Sequence, residues 1–225
     1  MKKISFLSFI LIAITVTIIS CKNDEQEPEK KTEVKADREV MLAFYADEVI
    51  IPAYEAFKVK MDNLVSVTEK FTASPSSATL SDLRESWKNA YIEWQKVELI
   101  DVGPAESSGF RFYMNIYPTS VKDIKTNIAS GIANLEVPAS YATQGFPALD
   151  YLINGTGVSD DSIVAFFTTA AESAKNKAYL TKVTNQMNSK FTSVYGAWKG
   201  DYRKTFVSNT ALDINSSTSH LVNGY

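Results

Sequence analysis

The sequence predicts an all-α protein built on an up-and-down helical bundle, and three observations carry that prediction. Apolar residues recur in steps of three and four through most of the chain from residue 38 onward. Ser, Gly and Pro punctuate those runs where helices would start and stop. No stretch alternates strictly enough for a sheet, and no strand–helix–strand rhythm appears.

The first segment lies outside this pattern. Lys2 and Lys3 precede an almost unbroken apolar run from Ile4 to Ser20, which ends at Ile18-Ile19-Ser20-Cys21. A short apolar run with a basic flank reads as a secretory signal over residues 1–20. The ending resembles a bacterial lipobox, in which a small residue precedes a cysteine that is acylated and becomes the new N-terminus. The alternative is a plain signal anchor with an incidental cysteine. Acylation of Cys21 also accounts for a single unpaired cysteine in an exported chain, and several acyl chains hold a protein firmly to a membrane where one would not. Residues 21–37, highly charged and without a large aromatic side chain, read as a flexible tether. The expected address is the bacterial outer membrane, on its periplasmic or its surface face.

The helical domain is expected over residues 38–225. Val40, Phe44, Val49 and Ile50 lead to Pro52, where a helix is kinked or restarted. Tyr54, Phe57, Met61, Leu64, Val67 and Phe71 form the next stripe, closed by the Ser74-Pro75-Ser76-Ser77 loop. The following stripe holds Leu80, Leu83, Trp87, Tyr91, Trp94 and Val97 on one face. Thr79 and Ser81 are its candidate N-caps and Gly103-Pro104 its stop. A short connection makes these two long helices antiparallel neighbours. Trp87 and Trp94 are expected in the core, with Glu98 beside the stripe, either at the rim or held by a partner.

Residues 103–118 are irregular and rich in aromatics, with Arg111 among them. Ser120 caps a helix through Val121, Ile124, Ile128 and Ile132. In Gln144 to Leu152, Pro147 suits the first helical position, Phe146 is pushed out of the α region, and Asp150 sits in the opening turn near the positive end of the dipole. Asn154-Gly155 ends that helix and Ser159 caps the next, which carries Ile163, Phe166, Phe167 and Ala170. The last long stripe is Leu180, Val183, Met187, Phe191, Val194 and Trp198, with Tyr202 and Phe206 beyond. Ser216 to Ser219 can cap one more helix, and the ending reads as cut.

Composition removes several function classes. A net charge of −3 from 23 basic and 26 acidic residues gives no basic footprint for nucleic acid. One histidine and one cysteine exclude His-rich or Cys-rich zinc sites and an internal disulfide. A Ser-His-Asp centre would have to use His220, close to the end of the chain.

Taken together, these segments resemble the imelysin family, named after an insulin-cleaving membrane protease. The matching residues are Pro52-Ala53-Tyr54, the Trp87…Trp94…Glu98…Gly103-Pro104 helix, Gly145 to Leu152, and Ser216 to Asn223. The resemblance runs from about Met41 to the end. It implies two packed helical bundles on an exported, often lipidated chain tied to iron uptake. This chain would hold the first bundle and the start of the second. The family pattern Gly-x-His-x-x-Glu falls on Gly145, Pro147 and Asp150, so proline stands where the pattern has histidine and aspartate where it has glutamate. His-x-x-Glu puts an imidazole and a carboxylate on one helix face, as a metal pair requires, and proline has no lone pair to offer. Glu98 and Asp150 can instead form a carboxylate pair suited to a hard ion such as ferric iron. The structural alternative is that Pro147 starts a helix, Asp150 sits at its dipole and Glu98 pairs with Arg111. No catalytic residue is assigned. The expected function is a non-enzymatic envelope lipoprotein that binds iron, haem or a component of an uptake transporter. The alternatives are a metal-dependent peptidase and a structural surface lipoprotein.

Overall fold

The computed structural model describes residues 35–223, and all their regular structure is helical. The signal segment, Cys21 and nearly all of the expected tether lie outside the described residues. The first helix, α1 (Lys35–Phe44), starts inside the expected tether and runs into a π-helical turn, Tyr45–Ile50, and then α2 (Ile51–Ala73). Pro52 sits in the first turn of α2, where its missing N–H interrupts the regular ladder and the preceding turn widens. The restart expected at Pro52 is therefore present, as a change of helical pitch.

The helix α3 (Ser77–Val97) starts earlier than either expected cap. Ser76 accepts from the backbone N–H of Thr79, and Thr79 Oγ1 accepts from the N–H of Ser76. Thr79 thus completes a reciprocal capping box from inside the helix. The helix also ends earlier than expected, at Val97. Gly103-Pro104 opens the next helix instead, because a proline at the first position loses no hydrogen bond there. Two short helices follow, α4 (Pro104–Ser108) and α5 (Phe110–Met114). Then comes α6 (Val121–Ser130), capped by Ser120 as expected and closed by Gly131 at φ +69°. That stop leaves Ile132 outside the helix and exposed. A 3-10 turn, Pro138–Thr143, leads to α7 (Gly145–Asn154), α8 (Asp160–Thr168), α9 (Ser173–Lys199), α10 (Tyr202–Ser208) and α11 (Ser217–Asn223).

Contacts fix the helix directions. Phe57 packs on Trp94 and Asn63 donates to Ser86, so α2 and α3 are antiparallel. Trp87 Nε1 donates to the Phe146 carbonyl and Arg84 Nε to the Ile153 carbonyl, so α7 runs against α3. Tyr54 meets Trp198 while Thr68 meets Thr184, so α9 runs against α2. The order α2, α3, α7, α9 is an up-and-down bundle.

The long stripe on α9 is buried in full, from Leu180 through Trp198. Around it lie Tyr54, Phe57, Trp94, Phe110 and Phe146, with Phe57 at 4.8 Å from Phe191 in an edge-to-face contact. Aromatic pairs of this kind add about 0.5–1.5 kcal/mol beyond the area they bury. Trp87 departs from expectation, since it is only partly buried, whereas Trp94 is 1% exposed. The face of α3 turned inward carries Leu83, Ala90, Trp94 and Val97, and Trp87 stacks with Tyr91 along its edge against α7. From Ala36 onward the described residues pack as one compact unit. Among them no helix is long and apolar enough to cross a membrane.

Candidate functional site

The irregular segment after α3 builds a cavity of about 560 Å³ at one end of the bundle. Its wall carries Glu98, Asp101, Glu106, Arg111 and His220. Glu98 is the C-cap of α3, half-buried, and accepts from Asn115 Nδ2 at 3.1 Å. Asp101 follows in the loop, and burial holds its carboxyl above the usual aspartate range; the Arg111 charge pulls it down and the Glu106 charge pushes it up. Glu106 comes from α4, and its Oε2 lies 3.7 Å from Nδ1 of His220 on α11. Arg111 on α5 forms no ion pair with Glu98, so the pairing weighed from sequence is absent.

Gly103 and Gly145 shape the chain around these residues. Gly103 has φ +59°, and a Cβ there would fall 1.9 Å from the Tyr202 hydroxyl, so the loop after Glu98 lies directly under α10. Gly145 has φ +77°, and a Cβ would meet the Met114 carbonyl at 2.3 Å. Only glycine gives both the left-handed backbone and that approach of α7 to α5. Pro104 opens α4 just beyond Gly103.

The motif helix differs from expectation in three ways. Gln144 is its N-cap and Gly145 its first residue, so Pro147 is third, buried, and Phe146 is helical despite preceding a proline. A proline in the first turn forfeits no ladder bond, because the first four N–H groups have no intrahelical partner. Asp150 therefore lies in the second turn, away from the dipole end, and accepts from Asn154 Nδ2 at 2.8 Å. It lines a different cavity, of about 370 Å³, with Tyr117, Pro147 and Tyr151. The Tyr117 hydroxyl is pushed up to about 12 by partial burial first, then by the Tyr91 hydroxyl and the Asp150 charge.

The structure thus brings Glu98 and Arg111 to one cavity, with the Gly103-Pro104 turn packed under α10, and sets Pro147 and Asp150 apart in a second pocket. Glu98 and Asp150 share neither a cavity nor a hydrogen-bond partner. Asp101 and Glu106 escaped sequence reasoning, and His220 was weighed there only as a member of a Ser-His-Asp centre. The two acids carry no motif, and His220 is joined to them only through the docking of α11, whose Ser216 cap was the sole local signal. Among the described residues, no three His, Cys, Asp or Glu side chains are arranged to hold a metal ion. The cavity's carboxylates and His220 therefore line its wall without converging as a set of ligands.

Comparison with known proteins agrees with this architecture. A curated relative, the iron-regulated protein A of Synechococcus elongatus, is 27% identical over 109 residues, which are 48% of this chain and 30% of that protein. Two solved structures share the fold. A putative iron-regulated protein A precursor from Parabacteroides distasonis superposes with a TM-score of 0.67 at 21% identity, over 83% of this chain and 55% of its own. An imelysin-like protein from Psychrobacter arcticum gives 0.64 at 20% identity, over 84% and 58%. The chain thus spans under a third of the curated relative and little more than half of either solved protein. The family model described as imelysin, peptidase M75, matches residues 50–225. That match takes in α2 to α11, both cavities and the Gly145 turn, and the chain belongs to the imelysin family.

Proposed function

We propose that this chain is a cell-envelope protein of iron acquisition, held to the outer membrane through an acylated Cys21, that binds ferric iron for an uptake transporter without cleaving peptides. The observation that carries the reading is the cavity whose wall carries Glu98, Asp101, Glu106 and the single histidine of the chain. Carboxylate oxygen is the preferred donor for a hard trivalent ion. The names of the Synechococcus and Parabacteroides relatives describe those proteins as iron-regulated, which supports an iron-related role here. Pro147 supports a binding role over hydrolysis, since a metal-activated water needs its metal held in place and this position offers no ligand.

Titration of ferric citrate into the purified chain tests the reading. Wild type is expected to bind, Glu98→Gln and Glu106→Gln to weaken binding by about tenfold or more, and Asp150→Asn to leave it unchanged. Absence of binding by wild type, or equal affinity in all variants, would refute the site. Chelator-sensitive cleavage of insulin by the wild-type protein would refute the non-enzymatic assignment.

A further inference from the structure

The cavity beside Glu98 is bordered by large apolar side chains that nothing among the described residues covers. Leu99, in the loop after α3, is 63% exposed, and Ile214, in the loop before α11, is 84% exposed; both line the cavity. Leu212 lies next to it, its carbonyl accepting from the hydroxyl of Ser219, which lines the same cavity. Val222 follows Ser219 by three residues on α11 and so shares its helix face. Leu212 and Val222 are also mostly exposed. Apolar residues scattered singly over a surface are ordinary, whereas four gathered beside one cavity mark an interaction surface.

The charges at this face indicate what covers it. Glu98 is engaged by Asn115, and Glu106 lies against His220. That leaves Asp101 and Arg111, neither of whose side chains has a hydrogen bond or an ion pair among the described residues. Each is close enough to act on the other through its charge, yet they do not pair directly. An occupant of one charge sign would satisfy one of them and repel the other. A two-fold contact satisfies both, because it is self-complementary and can set Arg111 of each copy against Asp101 of the other. We propose that this face is the contact between two copies of the chain. Leu99, Leu212, Ile214 and Val222 form its apolar part, and two reciprocal Arg111–Asp101 pairs form its polar part. The contact does not depend on which ion the cavity holds.

Sedimentation equilibrium of the purified full chain, in density-matched detergent with a chelator present, tests this separately from iron binding. Wild type is expected at twice the mass of one chain. Ile214→Lys sets a charge in the apolar part and is expected to weaken association about tenfold or more, with circular dichroism confirming the fold. Val158→Lys is the comparison, at an exposed valine before α8, whose Asp160 reaches Arg84 well away from Glu98 on α3. It is expected to leave the mass unchanged. Arg111→Asp and Asp101→Arg each bring like charges together and are expected to run as single chains. Mixed in equal amounts, they are expected to recover the double mass, since each arginine then meets an aspartate again. Ile214 is exposed, so its variant keeps the test valid if Asp101→Arg fails to fold. Double mass retained by Ile214→Lys, dissociation by Val158→Lys as well, or no recovery on mixing the two folded charge variants would overturn the proposal. So would wild type of single mass, which would leave this face to a different protein.

Discussion

At the scale of single residues, the glycine of the family motif acts through backbone geometry. Gly145 combines φ +77° with the approach of its Cα to the Met114 carbonyl. A side chain at positive φ costs about 1–3 kcal/mol by itself, and here the added methyl also meets backbone, which cannot swing aside. Gly145→Ala is therefore expected to lose about 3 kcal/mol or more of unfolding free energy in urea. Gly131, at φ +69° with nothing within 4 Å of its Cβ position, is the comparison, because Gly131→Ala carries only the backbone cost. Equal losses at both positions would show that the Met114 contact is unimportant. The glycine was legible in the sequence as part of a motif, but its reason was not, since Met114 reaches it only through the packing of α5 on α7.

At the scale of elements, helix periodicity placed the stripes and packing then ranked their members. The α3 stripe offers two tryptophans, and the sequence cannot say which faces the core, because each lies within one helical step of the inward direction. The structure puts Trp94 among Phe57, Phe110 and Phe146, and leaves Trp87 at the seam with α7, its indole donating to the Phe146 carbonyl at 3.1 Å. Trp94→Ala is expected to cost about 3–5 kcal/mol in chemical denaturation. Trp87→Ala should cost about 1–3 kcal/mol, from the lost hydrogen bond and partial burial. A larger loss at Trp87 than at Trp94 would contradict this ranking. The ends of α3 were misplaced for a related reason. Ser76, Thr79 and Ser81 all have capping chemistry, and only the direction of the chain leaving the Ser74–Ser76 connection selects Ser76.

At the scale of the whole molecule, the described residues form one bundle, and the proposed membrane link rests on the segment before it. The lipobox resemblance at Cys21 gives a direct test. Cells fed labelled palmitate are expected to label the wild-type protein and not Cys21→Ala, which should keep its uncleaved signal segment and migrate at higher mass. Equal label in both would refute acylation. A single acyl chain gives only reversible membrane binding and firm anchoring takes a second signal, so a protein that has lost acylation through Cys21→Ala should also leave the membrane fraction if cleavage is bypassed with a generic signal.

The sequence by itself determined the helical class, the stripes of α2, α3 and α9, the caps at Ser120, Ser159 and Ser216, and the family resemblance. All of these are local or periodic, written within one or two turns of chain. The tertiary structure alone decided that Pro147 and Asp150 belong to one pocket and Glu98 to another. It also decided that Glu98 shares its pocket with Glu106 and His220, and that Asn176 is left with a buried, unpaired oxygen. The difference is physical. A helix turn is fixed by residues three or four apart, whereas a pocket is fixed by how separate helices pack, and side chains far apart in sequence meet only once a close-packed core has set those helices in place.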